Sequence, residues 1–289
     1  MSGVLATSLA NWEPGTAELT RRVDPWPAAA FAALTELPVP VPGPGDALPP
    51  LWHWFTLLDH PAHSQTGADG HPARGPFLPP IPGRRRMFAG GRLTLDAPIL
   101  IGAELTSRSG VTAVSVKNGR SGELAFVTIR HELSVDGTPV GAEEQDIVYR
   151  SEPEASAPQT VPRPGHGEPE PAGEWRLELA TGPVQLFRFS ALTYNGHRIH
   201  YDRPYATKAE GYPDLVVHGP LLALLALDLA RVHAPGRPVR EFSYRLLRPA
   251  FSPARIVAAG SPDPDGRTVP VSVAAVGATP SLTGQIALG

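Results

Sequence analysis

The sequence feature that most constrains the fold is an apolar run, LLALLALDLARV, at residues 221–232. Pro220 stands directly before it, and a proline is well tolerated at the first position of a helix, where its missing N–H would have no acceptor. Only Asp228 and Arg231 are charged, whereas a helix on a protein surface has one polar face. The run therefore predicts a helix that other parts of the chain enclose on nearly every side.

Runs rich in Val, Ile, Thr and Leu predict the strands that could enclose this helix. They lie at residues 92–95, 104–117, 123–135 and 140–149, and again at 184–189, 239–247, 255–259, 268–276 and 281–288. Asn118-Gly119 and Asp136-Gly137 are typical of tight hairpin turns, so we expect antiparallel pairing. A second, short apolar helix is predicted to begin at Pro25, with Asp24 as its N-cap.

The order of these elements predicts an α+β fold of the hot-dog type, in which an antiparallel sheet curves around a central helix, and predicts it twice. The halves share no visible sequence identity, so the repeat rests on element order alone. Residues 151–173 contain six prolines and no aromatic residue, which predicts a linker. We therefore expect a double hot-dog packed as a pseudo-dimer: an N-terminal domain at residues 1–150, the linker, and a C-terminal domain at residues 174–289.

Charge and composition exclude several classes of protein. The 25 Lys and Arg residues against 28 Asp and Glu residues give a net charge of −3, which does not favour nucleic acid as a partner. No run approaches the ~18 apolar residues of a membrane span. Cysteine is absent, which removes a thiolate nucleophile and cysteine-ligated zinc. The first residues lack the features of a secretory signal, so we expect a cytoplasmic location.

The densest polar cluster lies between two apolar segments and is a candidate active site. It consists of Asn195, His197, Arg198, His200 and Asp202. Two chemistries fit these residues. Imidazole and carboxylate groups at His197, His200 and Asp202 suit a metal ion, but the spacing is loose. One histidine could instead act as a general acid and base, which needs no cofactor. A long segment upstream, residues 38–91, is rich in Pro, Gly and His, and ordered loops of that length usually have a function.

A second candidate lies at the head of the enclosed helix, where His218 and Gly219 precede Pro220. The first N–H groups of a helix lie at the positive end of its dipole, so they can bind an oxygen that gains negative charge. A glycine there lets a carbonyl group approach closely. A glycine chosen only for a tight turn explains the same residues.

The sequence resembles the MaoC-like hydratases and dehydratases of acyl thioesters, whose site loop reads roughly Asp-x-Asn-Pro-[Leu/Ile]-His. NGHRIHYDRPYA at residues 195–206 and EGYPDLVVHGPL at 210–221 resemble the second domain of a two-domain branch of this family. That branch includes mesaconyl-C4-CoA and itaconyl-CoA hydratases and the mitochondrial 3-hydroxyacyl-thioester dehydratase. RRRMFAGGRLTLDAPILIGAEL at 84–105, VKNGRSGELAFVTIRHEL at 116–133 and EEQDIVYR at 143–150 resemble its first domain.

The resemblance implies reversible hydration of a 2-enoyl thioester, with a short or dicarboxylic acyl-CoA as the expected substrate and no cofactor or metal. His200 falls on the family's catalytic histidine and Gly219 on its carbonyl-binding glycine. Asn195 stands where the family has an aspartate, so the two-residue mechanism does not transfer intact, because an amide cannot act as a base. The N-terminal domain is expected to be degenerate and non-catalytic. The supporting residues are Asp202, Arg198 and His218.

Other expectations concern the ligand and the assembly. A planar guanidinium binds phosphate well, and the candidates for the phosphates of coenzyme A are Arg84, Arg85, Arg86, Arg108 and Arg120. An acyl carrier protein thioester is the alternative substrate form, and the chain could be a monomer or a homodimer. The competing functions are a hot-dog thioesterase, with Asp228 as the one acid on the enclosed helix, and a non-catalytic or repurposed acyl-binding protein.

Overall fold

In the part of the chain that the structure describes, ten strands form one antiparallel sheet. The computed structural model describes residues 4–81, 84–119, 122–151 and 169–289. The N-terminal half contains β1 (Thr16–Arg22), β2 (Arg84–Leu95), β3 (Glu104–Gly119), β4 (Gly122–Val135) and β5 (Thr138–Ser151). The C-terminal half contains β6 (Trp175–Thr181), β7 (Leu215–Val216), β8 (Val239–Leu246), β9 (Phe251–Ser252), β10 (Ala254–Gly260), β11 (Thr268–Ala275) and β12 (Leu282–Leu288). Strands β7 and β9 pair only with each other.

The strand order has the symmetry of a pseudo-dimer. It runs β1-β3-β4-β5-β2 through the N-terminal half and β8-β12-β11-β10-β6 through the C-terminal half. The halves join edge to edge through β2 and β8, from Gly90 opposite Arg245 to Thr94 opposite Glu241. The two predicted sheets are therefore one continuous sheet, because neither inner edge strand is left unpaired.

The described residues form four α-helices: α1 (Val4–Leu9), α2 (Pro25–Thr35), α3 (Pro183–Leu192) and α4 (Gly219–His233). Every residue from 221 to 230 of α4 is buried, and this helix packs against β6, β8, β10, β11 and β12. These are all five strands that the C-terminal half contributes to the large sheet. The prediction of an apolar helix enclosed by a sheet is confirmed.

The N-terminal half has a different arrangement inside its sheet. In chain order α2 follows β1 as α3 follows β6. Between α2 and β2, where the C-terminal half has α4, the described residues form two short 3₁₀ turns, Trp52–Phe55 and His63–Gln65. Phe31 of α2 meets Trp52 edge-on, with ring centroids 5.0 Å apart. This helix is the apolar one predicted from Pro25, and the Asp24 carboxylate caps it by accepting the Trp26 N–H at 2.7 Å. It packs against α3 and against the Trp52–Phe55 turn.

Residues 184–189, predicted as a strand, instead form most of α3. Gly182 is an extended N-cap, Pro183 starts the helix, and Leu186 and Phe189 are buried at helical spacing. The strand lies just before, in β6, where residues alternate between buried and more exposed. A short apolar run fits either structure, and the proline at its start was the signal for a helix.

The predicted linker cannot be compared with the structure, because residues 152–168 lie outside the described residues. The domain boundaries on either side of it remain predictions. None of the helices in the described ranges is both long and apolar enough to cross a membrane.

Candidate active site

The loop between α3 and α4 carries the predicted site residues. The Asn195 N–H donates to the Ser190 carbonyl oxygen at 2.8 Å, which ties the start of the loop to the end of α3. The Asn195 side-chain Oδ1 accepts the His197 N–H at 3.0 Å, an arrangement in which a short polar side chain forms its own turn. This turn leads directly into a 3₁₀ turn at Arg198–His200.

His200 is buried and has one ring nitrogen fixed. Its Nδ1 lies 2.7 Å from the Val216 carbonyl oxygen. A carbonyl only accepts hydrogen bonds, so Nδ1 carries the proton and Nε2 is left as the acceptor. Burial lowers the pKa of His200 from 6.5 to about 4. The imidazole is therefore neutral near pH 7, in the form that can remove a proton.

His218 links this histidine to the head of α4. Its ring stacks on the His200 ring with centroids 3.6 Å apart, and its Nε2 lies 2.8 Å from the Ser190 hydroxyl. Burial holds the pKa of His218 well below its ordinary value, so this side chain supports its neighbour as a neutral ring. As the N-cap residue of α4, His218 places the next residue, Gly219, beside the His200 ring.

Gly219 is the first residue of α4, so its N–H has no acceptor within the helix. A Cβ added at this position would lie 2.5 Å from Leu246 Cδ1. Leu246 therefore packs directly on this glycine, and a larger residue would displace it. A carbonyl oxygen that reached the Gly219 N–H would meet the positive end of the helix dipole.

Arg198 and Asp202 bind each other. The Asp202 Oδ2 accepts from Arg198 Nε at 3.0 Å and from Nη2 at 2.8 Å, and Oδ1 accepts the Tyr205 N–H at 3.1 Å. Arg198 also donates to the Ala68 carbonyl oxygen at 3.0 Å. The Asp202 carboxylate is thus used in a turn, and the Val216 carbonyl, not Asp202, orients His200. The guanidinium of Arg198 is likewise occupied, by Asp202 and by the Ala68 carbonyl.

A segment of the N-terminal half completes the cluster. The Arg198 N–H donates to the Asp69 carbonyl oxygen at 2.9 Å, and Gly70, at φ 89°, lies against the backbone of Gly196. The next residue, His71, lies with its ring centroid 4.0 Å from that of His197. The His197 centroid is in turn 5.5 Å from that of His200.

Four imidazoles therefore form a continuous row across the interface between the halves: His71, His197, His200 and His218. Asp69 stands at one end, where its Oδ2 lies 3.1 Å from His71 Nδ1, and Ser190 stands at the other. Burial and the neighbouring rings lower the pKa of His197 to about 2. His197, His200 and His218 are therefore neutral rings at neutral pH. The one carboxylate of the row binds His71, the ring at that end.

The potential metal ligands in this cluster differ from the predicted set. His197, His200 and Asp202 do not converge, because Asp202 binds Arg198 and His200 Nδ1 binds Val216. Asp69, His71 and His197 do offer three ligand atoms within 4.8 Å of one another. However, Asp69 and His71 are hydrogen-bonded and the His71 ring is tilted by only 38° against the His197 ring. This is the geometry of a hydrogen-bonded pair packed on a third ring.

The family follows from comparison with known proteins. The model of the family described as hydroxyacyl-thioester dehydratase type 2 matches residues 51–252. Mesaconyl-C(4)-CoA hydratase of Chloroflexus aurantiacus is 46% identical over 251 residues, which cover 83% of this chain and 88% of that protein. The chain belongs to the hydroxyacyl-thioester dehydratase type 2 family.

Solved structures agree with this assignment at the level of the fold. A MaoC-like dehydratase from Phytophthora capsici superposes with a TM-score of 0.68 at 16% identity, over 98% of each chain. A Mycobacterium tuberculosis protein described as having a double hotdog fold superposes with a TM-score of 0.59 at 13% identity, over 96% of each chain. The predicted double hot-dog fold and the resemblance to MaoC-like proteins are confirmed.

The hydroxyacyl-thioester dehydratase type 2 match spans both the His200 loop and the segment that carries Asp69 and His71. Sequence reasoning found the first and missed the second. The available signal was the long segment at residues 38–91, whose Pro, Gly and His content indicated a function but no particular residue. Nothing local connects His71 with a loop more than a hundred residues away, so only the fold could bring the two together.

The arginines predicted to bind the phosphates of coenzyme A do not form one cluster among the described residues. Arg85 is ion-paired with Glu210 of the C-terminal half. Arg86 is half-buried, and its charge lowers the pKa of His71 and His197, which places it beside the cluster. Arg108 is exposed on β3 and pairs with Glu18 at 3.2 Å. Arg120 and the Arg84 side chain lie outside the described residues.

Proposed function

We propose that this chain catalyses the reversible hydration of a 2-enoyl thioester to a 3-hydroxyacyl thioester at the cluster around His200. The observation that carries the proposal is a neutral, buried imidazole with Nδ1 fixed on Val216, stacked on His218, the N-cap residue of α4. Membership of a dehydratase family and the hydratase relative support the class of reaction, that of a hydro-lyase.

The dehydration direction needs one base and one site for negative charge. His200 Nε2 removes the proton from C2, and the electron pair moves toward the thioester carbonyl. The Gly219 N–H donates to that carbonyl oxygen and stabilises its developing charge. The bond between C3 and oxygen then breaks, the electrons form the C2–C3 double bond, and the departing hydroxyl group takes up a proton and leaves as water. The Asn195 amide holds that oxygen without ionising.

The substrate that fits this proposal is an acyl-CoA, and the name of the Chloroflexus relative, mesaconyl-C(4)-CoA hydratase, supports a short or dicarboxylic acyl group. Arg86, whose charge acts on His71 and His197, stands beside the histidine row and is the candidate for binding a phosphate of coenzyme A. A thioester of acyl carrier protein is the alternative form of the substrate. We also propose a cytoplasmic location, and a monomer or a homodimer as the assembly.

The competing thioesterase function would need a carboxylate or water activated at the thioester carbonyl. Asp228, the acid on α4, lies in the third turn of the helix and accepts from Arg231 Nη1 at 2.6 Å. It is therefore engaged away from the head of α4.

The test is a mass measurement on crotonyl-, mesaconyl- and 3-hydroxyacyl-CoA incubated with the protein. We expect the gain or loss of one water, and a loss of at least ~100-fold in turnover in His200→Ala, the usual scale for an acid–base group. His63→Ala, an exposed histidine of the N-terminal half, is the matched control and should retain full activity. Release of free thiol instead would establish a thioesterase, and full activity of His200→Ala would refute the role of His200.

A further inference from the structure

The N-terminal half supplies a histidine to the active site that has the features of an acid–base group. His71 Nδ1 lies 3.1 Å from Asp69 Oδ2, and the backbone N–H of His71 donates to Asp69 Oδ1 at 3.0 Å. A carboxylate accepts hydrogen bonds only, so Nδ1 carries a proton and Nε2 is left for other partners. A histidine whose second nitrogen is fixed by a carboxylate is well suited to exchange protons through the first.

The proposed reaction leaves a place for such a group. Dehydration takes one proton from C2 and gives one to the oxygen that leaves C3, and these are different atoms of the substrate. Asn195, at the position where MaoC-like proteins have an aspartate, cannot exchange a proton. His200 alone would therefore have to carry the proton from C2 to the oxygen within each turnover.

The order of groups in the row matches the order of atoms in the substrate. Gly219 binds the carbonyl of C1, and the His200 ring lies against His218, the residue before Gly219. The row then continues through His197 to His71. An acyl group that extends from Gly219 along this row would present C2 to His200 and C3 to the groups beyond it.

Resting on the proposed function, we propose that His71, held by Asp69, is the second acid–base group of the active site. In dehydration, His200 Nε2 takes the proton from C2, and the electrons of that C–H bond form the C2–C3 double bond. The electron pair of the bond between C3 and oxygen leaves with the oxygen, which takes the proton from His71 Nε2 and departs as water. The proton then returns from His200 to His71 through His197, so the cycle needs no other reactant.

His71 is the ring of the row whose hydrogen-bond partner is a carboxylate. Its pKa is lowered from 6.5, chiefly by burial and also by the charge of Arg86, while the Asp69 hydrogen bond and the charges of Asp69 and Glu210 act in the opposite direction. We therefore expect His71 to lose its Nε2 proton below pH 6.5. His197 is the uncharged ring packed against it. For His200 the hydrogen bond that raises the pKa comes from a neutral carbonyl. An imidazolium is stabilised more by a carboxylate than by a carbonyl.

The experiment measures the pH profile of dehydration, on the best 3-hydroxyacyl-CoA found, in four proteins: the parent, His71→Gln, Asp69→Asn and the control His63→Gln. In this direction His71 must start protonated, so it causes the high-pH limb of kcat/KM, whereas His200 causes the low-pH limb. We expect His71→Gln to lower kcat about 100-fold with KM within about threefold, and to lose the high-pH limb.

Asp69→Asn should move the high-pH limb of kcat/KM to lower pH, because it removes the carboxylate that holds the proton on His71. Thermal unfolding of each protein shows whether it folds. If His71→Gln does not fold, Asp69→Asn tests the same role. His63→Gln should match the parent in both limbs.

Two results would overturn this inference alone: a His71→Gln enzyme with kcat within threefold of the parent and an unchanged high-pH limb, or stoichiometric zinc whose removal abolishes activity. In both cases the parent enzyme is active and His200→Ala is not. A parent enzyme that moves no water on any thioester would instead refute the proposed function and the role of His71 with it.

Discussion

In the proposed function, Asn195 serves both a turn and the reaction. Its Oδ1 accepts the His197 N–H and its backbone N–H binds Ser190, so the side chain fixes the path of the loop that places His200. The remaining NH₂ group is a donor that can hold the oxygen at C3. An aspartate can make the same turn, because it also accepts at Oδ1, but it cannot donate unless it is protonated.

We therefore expect Asn195→Asp to keep measurable dehydration activity and to gain a pH dependence that the parent lacks, since a carboxyl group titrates. Asn195→Ala should lose more activity, because both the turn and the contact with the oxygen are removed. Turnover and thermal unfolding of the two variants check this order. Parental activity in Asn195→Ala would show that the side chain has no part in the reaction.

The low pKa of His200 sets a second expectation at this scale. Burial lowers the pKa of His200 to about 4, so the ring stays unprotonated and able to act as a base from pH 5.5 to 7. We expect kcat/KM for dehydration to fall only as pH drops toward 4, and not near the ordinary histidine value of 6.5. A low-pH limb centred near 6.5 in the free enzyme would contradict the burial seen here.

Among the elements, α4 connects the two halves through a buried charge. Asp228 on α4 is 1% exposed and accepts from Arg231 Nη1 at 2.6 Å. The Arg231 guanidinium lies 4.5 Å from the ring centroid of Trp52, in a 3₁₀ turn of the N-terminal half. The second carboxylate oxygen, Oδ2, has no hydrogen-bond partner in the described part of the chain. Burial raises the pKa of Asp228 from 3.8 to about 6.

A carboxyl group whose pKa is higher in the folded state binds its proton more tightly there, so ionisation opposes folding. The cost is absent below pH 4, grows between pH 4 and 6, and is complete above pH 6. We expect Asp228→Asn to gain up to about 3 kcal/mol in unfolding free energy, relative to the parent, between pH 4 and pH 7. Urea unfolding at both pH values measures the gain. The exposed Asp59→Asn is the control, and an equal difference at the two pH values would contradict the assignment.

At the scale of the whole molecule, the two halves share a strand order but differ in their helices and buried polar groups. The N-terminal half uses its other buried polar groups in structural pairs. His53 Nε2 lies 2.6 Å from Glu143 Oε2, and His131 Nδ1 lies 2.7 Å from the Ser109 hydroxyl. The described part of this half has no helix like α4 whose first turn could bind a carbonyl.

We therefore expect one active site per chain, in line with the sequence-based expectation of a non-catalytic N-terminal domain. We expect a non-reactive thioester analogue to bind the protein with a stoichiometry of one in titration calorimetry. A stoichiometry of two equivalent sites would contradict both the asymmetry of the halves and the proposed function of the His200 cluster.

The sequence alone determined the features that depend on neighbours along the chain. The enclosed helix followed from an apolar run with only two charged residues, and most strands from β-branched runs between turn residues. The candidates His200, Asn195 and Gly219 came from a short motif that resembles a known family, and their roles stay predictions. Local signals were weakest at α3, where a run of six residues fits a strand or a helix equally well. The periodicity that predicts a helix or a strand reflects contacts between residues a few positions apart, and the sequence records such contacts directly.

Only the tertiary structure decided which distant residues meet. It joined β2 to β8 and placed Arg198 Nη1 on the Ala68 carbonyl oxygen. It also gave the orientation of His200 to the Val216 carbonyl and brought Asp69 and His71 to His197. These contacts connect residues up to about 150 positions apart, and no local pattern records them. They arise because the apolar faces of both halves can be buried only when the two are packed together, and that packing fixes which polar groups share the interface.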